Sequence, residues 1–376
     1  MHIGFDAKRF FHNATGLGNY ARGTILGLAE HFPRHRYTLY AAQARGPFCT
    51  FPPGLGLRVQ EACPLGRRFP SLWRSLGIPR AARGNGLDIF HGLSHELPLT
   101  HFDPRTRTVV TMHDLLFVTH PHLYPRLDRF LYAWKYRASC RRADLVVAVS
   151  QKTADDLQEI FGLDRSRIRV AYQSCDPVFS VAVDQGGRKA MRERLGLSRE
   201  YILFVGSLVE RKGVRTLIQA LALLPRDRPQ LVIAGAGPLY GELRAEARRQ
   251  GVESSVRFLG RVPGGDLPGL YQMARIFAYP SLAEGFGIPI IEALTSGVPV
   301  VTSTGSCFAE PGGDAALYTE PGDAPALSQA LTRVLEDESL RRDMIAKGQR
   351  HARTFHIART SRALMDIYAE LCPDRA

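Results

Sequence analysis

Short runs rich in β-branched and aromatic residues alternate with longer stretches of helical period over almost the whole chain. The apolar runs predict strands near Ile3–Phe5, Tyr37–Tyr40, Ile89–His91, Val109–Met112, Leu145–Val149 and Ile168–Val170. In the second half they fall near Tyr201–Val205, Leu231–Ala234, Val256–Phe258, Ile276–Tyr279 and Val298–Thr302. Helical spacing marks Lys152–Phe161, Val214–Leu224, Leu239–Arg249 and Ala326–Glu336 between them. This alternation predicts an α/β protein with parallel sheets covered on both faces. At 376 residues the chain suits two doubly wound domains. The break is expected near 176–190, where Asp176-Pro177 precedes a loop-like stretch, Val183–Arg188, interrupted by Gly186-Gly187. The expected domains are therefore 1–180 and 181–355. A last helix, His356–Leu371 in segment 356–376, is expected to pack back toward the first domain. In sheets of this kind ligands bind at the strand carboxyl ends, expected here to face a common cleft.

Composition narrows the setting. Apolar residues make up 45% of the chain, enough for two cores. No apolar run approaches the roughly 18 residues that a spanning helix needs. Met1 leads straight into a strand-like segment without a basic-then-apolar leader, so a cytoplasmic protein is expected. The six cysteines, at 49, 63, 140, 175, 307 and 372, are scattered without a C-x-x-C pair, which argues against a zinc site or disulfide framework. Charge is lopsided: residues 1–180 hold 24 Lys/Arg against 14 Asp/Glu, out of 49 and 36 in all. Two stretches carry much of this excess. One is Arg67, Arg68, Arg74, Arg80 and Arg83 with Phe69, Leu72, Trp73, Leu76 and Ile78 among them. The other is Arg126, Arg129, Lys135, Arg137, Arg141 and Arg142 with Phe130, Leu131, Tyr132, Trp134 and Tyr136. The pattern fits an anionic membrane surface, a nucleic-acid backbone or a plain solvated face.

The strongest candidate chemistry lies in Tyr279-Pro-Ser-Leu-Ala-Glu284-Gly-Phe-Gly-Ile-Pro-Ile-Ile-Glu292-Ala-Leu294. A strand ends at Tyr279, a glycine-bearing loop follows, and Pro289 opens a helix. Amides at the helix start and the helix dipole form an anion site suited to a pyrophosphate. Glu284 and Glu292 frame it, and each carboxylate can accept two hydroxyls of a vicinal diol.

This segment resembles the E-x7-E signature of family 4 glycosyltransferases, retaining enzymes of the GT-B fold, and the resemblance runs over essentially the whole chain. It implies that Glu284 contacts the transferred sugar, that Glu292 holds the nucleotide ribose, and that Phe286, Gly287 and Ile288 lie at the donor phosphates. Gly206-Ser207-Leu208-Val209-Glu210-Arg211-Lys212-Gly213 resembles the family's phosphate-binding stretch, implying that Arg211 and Lys212 neutralise the departing diphosphate. Many members carry an arginine where this chain has Ser207, which makes Arg211 the expected substitute. Gly16-Leu17-Gly18 resembles the family's glycine-rich loop, with Gly18 at the donor phosphates. His113, following the strand that ends at Met112, resembles the active-site histidine that contacts the donor sugar. Gly260-Arg261-Val262 resembles the stretch that holds the base. Ser150 is expected to cap a helix. Tyr172–Asp176 departs from an Asn-Gly pair common in relatives.

The reaction implied is hexosyl transfer, mannosyl as first candidate, from a GDP- or UDP-sugar to a saccharide or lipid-linked saccharide, as in surface polysaccharide synthesis. No Asp-x-Asp triad is present, so a metal-independent reaction without a further cofactor is expected, with Arg211, Lys212 and the helix dipole in the metal's place. An acceptor at the inner membrane face would suit the basic first half. The competing readings are a GT-B sugar-nucleotide epimerase, an NAD-dependent two-domain oxidoreductase and a nucleic-acid-binding module. The oxidoreductase needs a complete G-x-G-x-x-G directly after a strand, which is missing. Nucleic acid has only charge in its favour.

Overall fold

A computed structural model describes residues 1–46, 48, 51–52, 54–197 and 200–375. Cys49 lies outside the described residues. The chain forms two compact units, Met1–Ser174 with Ile357–Ala376 and Cys175–His356. The break thus falls a few residues before the 180/181 position read from the sequence, and the last segment belongs to the first unit.

In the first unit seven parallel strands run β1 (His2–Asp6), β2 (Arg36–Ala41), β3 (Leu57–Glu61), β4 (Ile89–Gly92), β5 (Arg107–Met112), β6 (Leu145–Ala148) and β7 (Ile168–Val170). Their order is β3-β2-β1-β4-β5-β6-β7. The second unit has six parallel strands: β8 (Tyr201–Val205), β9 (Gln230–Ala234), β10 (Val256–Gly260), β11 (Ile276–Tyr279), β12 (Val300–Ser303) and β13 (Ala316–Thr319). Their order is β10-β9-β8-β11-β12-β13. Both sheets are Rossmann-like. The central strands β1, β4, β5, β6, β8, β11 and β12 are buried almost throughout, which is why they read as continuous apolar runs.

The helices that matter below are α1 (Gly16–His31), α2 (Arg126–Arg142), α3 (Gln151–Phe161), α4 (Gln185–Leu195), α5 (Val214–Leu223), α6 (Tyr240–Arg249), α7 (Ile288–Thr295), α8 (Ala324–Glu336), α9 (Glu338–Ala352) and α10 (Ile357–Leu371). Ser150 caps α3, its Oγ accepting from the Thr153 amide at 3.0 Å. Helix α4 corrects the loop-like reading of 183–188. Asp184 caps it, Oδ1 accepting from the Gly187 amide at 2.8 Å, and buries Met191 on its inner face. A cap contributes about 1 kcal/mol, comparable to what one glycine takes from a helix, and packing of Met191 settles the balance. Helix α10 packs along α1, with Leu364, Met365, Ile367 and Tyr368 buried.

In each sheet the strand order reverses once, between β1 and β4 and between β8 and β11. A crevice opens at the carboxyl ends of such a pair because successive connections leave in opposite directions. In the second unit the loops beside that crevice carry the E-x7-E and Arg-Lys segments.

Candidate active site

The second unit builds its site from two adjacent strand ends. After β8 the chain makes a tight turn at Glu210–Lys212 and enters α5 through Gly213, whose φ is +67°. A side chain at Gly213 would place its Cβ 2.0 Å from the Pro280 carbonyl oxygen, so glycine lets the two loops lie back to back. The loops are then stitched. The Leu282 amide donates to the Arg211 carbonyl at 2.7 Å, and Arg211 Nη1 donates to the Ala283 carbonyl at 3.1 Å.

This stitching gathers the charged groups. Glu284 Oε1 accepts from Lys212 Nζ at 2.5 Å and from Arg211 Nη1 at 2.6 Å. Lys212 also donates to the Tyr279 hydroxyl at 2.5 Å. Burial would raise the Glu284 carboxyl, but Lys212 and Arg211 outweigh it and hold it near about 2. Lys212 moves the other way: burial lowers its ammonium, and Glu284 only partly restores it while Arg211 opposes. Two cations share one carboxylate, so the cluster carries a net positive charge in a poorly solvated place.

Helix α7 starts beside the cluster. Gly287 is its N-cap and Ile288 its first residue, with Pro289 in the first turn. Pro289 has no N–H and the Ile290 amide donates to the Gly287 carbonyl at 2.9 Å, while the helix dipole adds partial positive charge at this end. Glu292 lies one turn further on, accepting from the Tyr271 hydroxyl at 2.8 Å. Burial pushes its carboxyl up to about 7, against the lowering effect of Tyr271. Among the described residues no cation pairs with it. The hydroxyl of Tyr271 is its hydrogen-bond donor, whereas Glu284 is held by two cations.

The hydrogen bonds of Tyr279, Tyr271, Ser306 and Cys307 were not foreseen from sequence. Ser306 Oγ donates to the Glu284 carbonyl at 3.0 Å and accepts from its amide at 3.1 Å, and Cys307 Sγ donates to the Phe286 carbonyl at 3.0 Å. These bonds also hold the Glu284 loop. The only sequence signal was a hydroxyl-bearing residue ending or following each neighbouring strand. Arg261 and Val262 follow β10, at the same end of the sheet but on its far edge, with Arg261 exposed and Val262 half-buried.

In the first unit His113 sits just past β5 and is buried. Its Nε2 bonds to the Leu93 carbonyl at 2.9 Å, which places the proton there and leaves Nδ1 as an acceptor, with Gln173 Nε2 3.4 Å away. Burial lowers its imidazole to about 4, so the ring is neutral near pH 7. Tyr20 meets it edge-on with centroids 4.7 Å apart, and the His113 amide donates to His95 Nε2 at 3.1 Å. Below it Thr111 Oγ1 bonds His91 Nε2 at 2.8 Å and the Tyr20 hydroxyl at 3.0 Å, while His91 Nδ1 bonds the Tyr368 hydroxyl of α10 at 2.7 Å.

Gly18 has a different explanation from the one read in the sequence. It lies inside the first turn of α1, and a Cβ there would come 1.8 Å from the Asn13 carbonyl oxygen. Its amide already donates to the Thr15 carbonyl at 2.9 Å and to Asn13 Oδ1 at 3.2 Å. The requirement for glycine comes from the chain's own backbone, and the amide is occupied.

Two Rossmann-like units, each with one strand-order reversal, form a GT-B fold. Residues 14–179 match the family described as Glycosyltransferase Family 4, and residues 188–351 match Glycosyl transferases group 1. The chain belongs to this glycosyltransferase family. It is 34% identical over 272 residues to the O-antigen chain mannosyltransferase B of Escherichia coli, covering 71% of this chain and 70% of that one. It is 32% identical over 238 residues to the D-inositol 3-phosphate glycosyltransferase of Corynebacterium glutamicum, covering 60% of this chain and 57% of that one. The fold matches Anabaena Alr3699/HepE in complex with UDP-glucose at a TM-score of 0.77 and 22% identity, over 98% of this chain and 100% of that one. Membership of the family sets aside the oxidoreductase and nucleic-acid readings.

Proposed function

We propose that the protein transfers a hexosyl group, mannosyl as first candidate, from a nucleoside diphosphate sugar to a hydroxyl of a saccharide or lipid-linked saccharide, with retained anomeric configuration. The observation that carries this reading is the Glu284 carboxylate shared by Lys212 and Arg211 beside the start of α7. Breaking the bond from the anomeric carbon to the diphosphate places negative charge on the leaving oxygen. A preorganised cation in a poorly solvated site stabilises that charge more than water does. Lys212, Arg211 and the amides of Phe286, Gly287 and Ile288 are assigned to the diphosphate, and Gly18 is not.

Glu284 then accepts hydroxyls of the transferred sugar, and Glu292 accepts those of the ribose. Arg261 and Val262 are assigned to the base. His113 is assigned to a sugar hydroxyl through Nδ1, as an acceptor and not as a general base. Retention needs no carboxylate nucleophile if the departing phosphate takes the acceptor's proton on the same face. Catalysis is then positioning and electrostatics, without a metal. The named mannosyltransferase relative supports the sugar, and the UDP-glucose complex of the structural relative supports the donor class.

The test is release of nucleoside diphosphate from GDP-mannose, UDP-glucose, UDP-N-acetylglucosamine and UDP-galactose, with NMR of the sugar products. One donor is expected to dominate and to yield product of retained configuration. Inverted product would overturn the mechanism. Conversion of the donor to its epimer with no diphosphate released would replace the reading with an epimerase.

A further inference from the structure

Among the described residues two side chains stand on a left-handed backbone, His95 with a φ of +67° and Ser306 with a φ of +46°. The sixteen other positive-φ positions among them are glycines. In that conformation a Cβ crowds a backbone carbonyl oxygen. It persists only where the surroundings hold it, and it concentrates at functional sites. The two residues share a placement. His95 lies in the loop after β4 and Ser306 in the loop after β12, and these strands pair with β5 and β11, whose loops carry His113 and Glu284. We propose that His95 and Ser306 are positioning residues that clamp the backbones of His113 and Glu284. The inference rests on the roles given to those two residues under the proposed function.

In the first unit the loop from Gly92 to Glu96 is tightly wound. A Cβ at Gly92 would come 2.2 Å from the Glu96 carbonyl oxygen, and the His95 amide donates to the Thr111 carbonyl at 2.9 Å. The buried His95 ring stacks on Tyr136 of α2, with centroids 4.5 Å apart and planes 8° from parallel. Its Nε2 accepts from the His113 amide at 3.1 Å. Burial lowers the His95 imidazole well below its ordinary range, so the ring stays neutral and Nε2 keeps the lone pair that an acceptor needs. The same loop takes the His113 ring, whose Nε2 bonds to the Leu93 carbonyl at 2.9 Å, and Thr153 Oγ1 donates to the His113 carbonyl at 3.2 Å. Amide, carbonyl and Nε2 of His113 are all held, which fixes the direction of Nδ1.

In the second unit Gly305, with a φ of +69°, and Ser306 form a left-handed pair after β12. Ser306 Oγ meets both polar groups of the Glu284 backbone, accepting from the amide at 3.1 Å and donating to the carbonyl at 3.0 Å. Glycine at 95 or 306 would relieve the strain. It would also take the acceptor away from the His113 or Glu284 amide. The strain is therefore retained together with the hydrogen bond. Rigidity matters at these two places because a misplacement of about 1 Å can cost about 10²-fold in rate.

The full chain is assayed with whichever of GDP-mannose, UDP-glucose, UDP-N-acetylglucosamine and UDP-galactose it turns over, and each variant is followed by melting and by calorimetric binding of GDP or UDP. Ser306→Gly removes clamp and strain together. It is expected to melt close to the wild type and to bind the nucleotide equally, with kcat down about 10–100-fold. His95→Phe keeps a ring against Tyr136 but has no acceptor, and the same loss of kcat is expected. His95→Gln reaches the His113 amide with a carbonyl oxygen and is expected to hold kcat within about threefold of the wild type. A merely structural role would lower melting without separating kcat from nucleotide binding. Wild-type kcat in Ser306→Gly or His95→Phe, or a His95→Gln as slow as His95→Phe, would overturn the proposal while Glu284→Gln and His113→Ala remain slow. If His95→Phe does not fold, a His95→Gln kcat more than about tenfold below the wild type overturns the His95 clamp. Wild-type kcat in both Glu284→Gln and His113→Ala would instead overturn the site reading, and the proposal with it.

Discussion

Turnover is expected to fall about 10²–10³-fold when Glu284 is replaced by glutamine, with most of the loss in kcat. The substitution keeps size and shape but removes the charge that Lys212 and Arg211 share at 2.5 and 2.6 Å. Two cations are then buried with a weaker acceptor, and the sugar loses its carboxylate. Breaking a buried pair costs about 3–5 kcal/mol, and the partial exposure of Arg211 places this case near the lower end. The pH dependence gives a separate readout. With the folded carboxyl at about 2 against an ordinary 4.5, the ion pair stabilises the protein above pH 4.5. That stability, about 3 kcal/mol, is lost as pH falls toward 2. Glu284→Gln should therefore flatten the acid limb of a denaturation-versus-pH series between those values. An unchanged acid limb, or unchanged kcat, would remove Glu284 from the centre of the site.

The largest stability effect outside the charges is expected from Gly213→Ala. Its left-handed conformation costs a non-glycine residue about 1–2 kcal/mol, and the contact with the Pro280 carbonyl adds about 1–3 kcal/mol of overpacking. The chain should lose about 2–5 kcal/mol in denaturant unfolding. Because the strain falls where the Arg211 and Leu282 backbones meet, activity should drop as well, even at temperatures where the variant is folded. Thermal melting and turnover of one preparation check both. A variant with wild-type melting and activity would show that the two loops do not depend on each other.

Much of this arrangement was legible in the sequence, for identifiable reasons. The central strands announce themselves because a parallel strand covered on both faces has no polar positions to interrupt it. β3 escapes that rule: it is an edge strand, half-exposed, and Arg58, Gln60 and Glu61 break its pattern. β13 is likewise an edge strand, with Leu317 and Tyr318 only half-buried. Helix α4 was hidden by Gly186-Gly187, since a cap at Asp184 and one buried methionine are weak signals in sequence.

Glu284, Arg211 and Lys212 could be named because their spacing within each segment is local. Their sharing of one carboxylate could not, because 72 residues separate Lys212 from Glu284 and only the adjacency of β8 and β11 brings them together. The contacts of Tyr279, Tyr271, Ser306 and Cys307 were hidden for the same reason: a hydroxyl or thiol acquires its role from the partner that the fold delivers. Gly18 illustrates the converse. A glycine in a suggestive motif marked a close approach, and the approach was to Asn13.

The central claim is that Arg211 and Lys212 hold a nucleoside diphosphate beside α7. Calorimetric titration of GDP and UDP into the wild type and into Arg211→Met with Lys212→Met tests it most directly. Each charge-assisted bond is worth about 1.5–3 kcal/mol, so the preferred nucleotide should bind the double variant at least about 100-fold more weakly. Equal affinity of the two proteins for that nucleotide would place the diphosphate elsewhere and contradict the account.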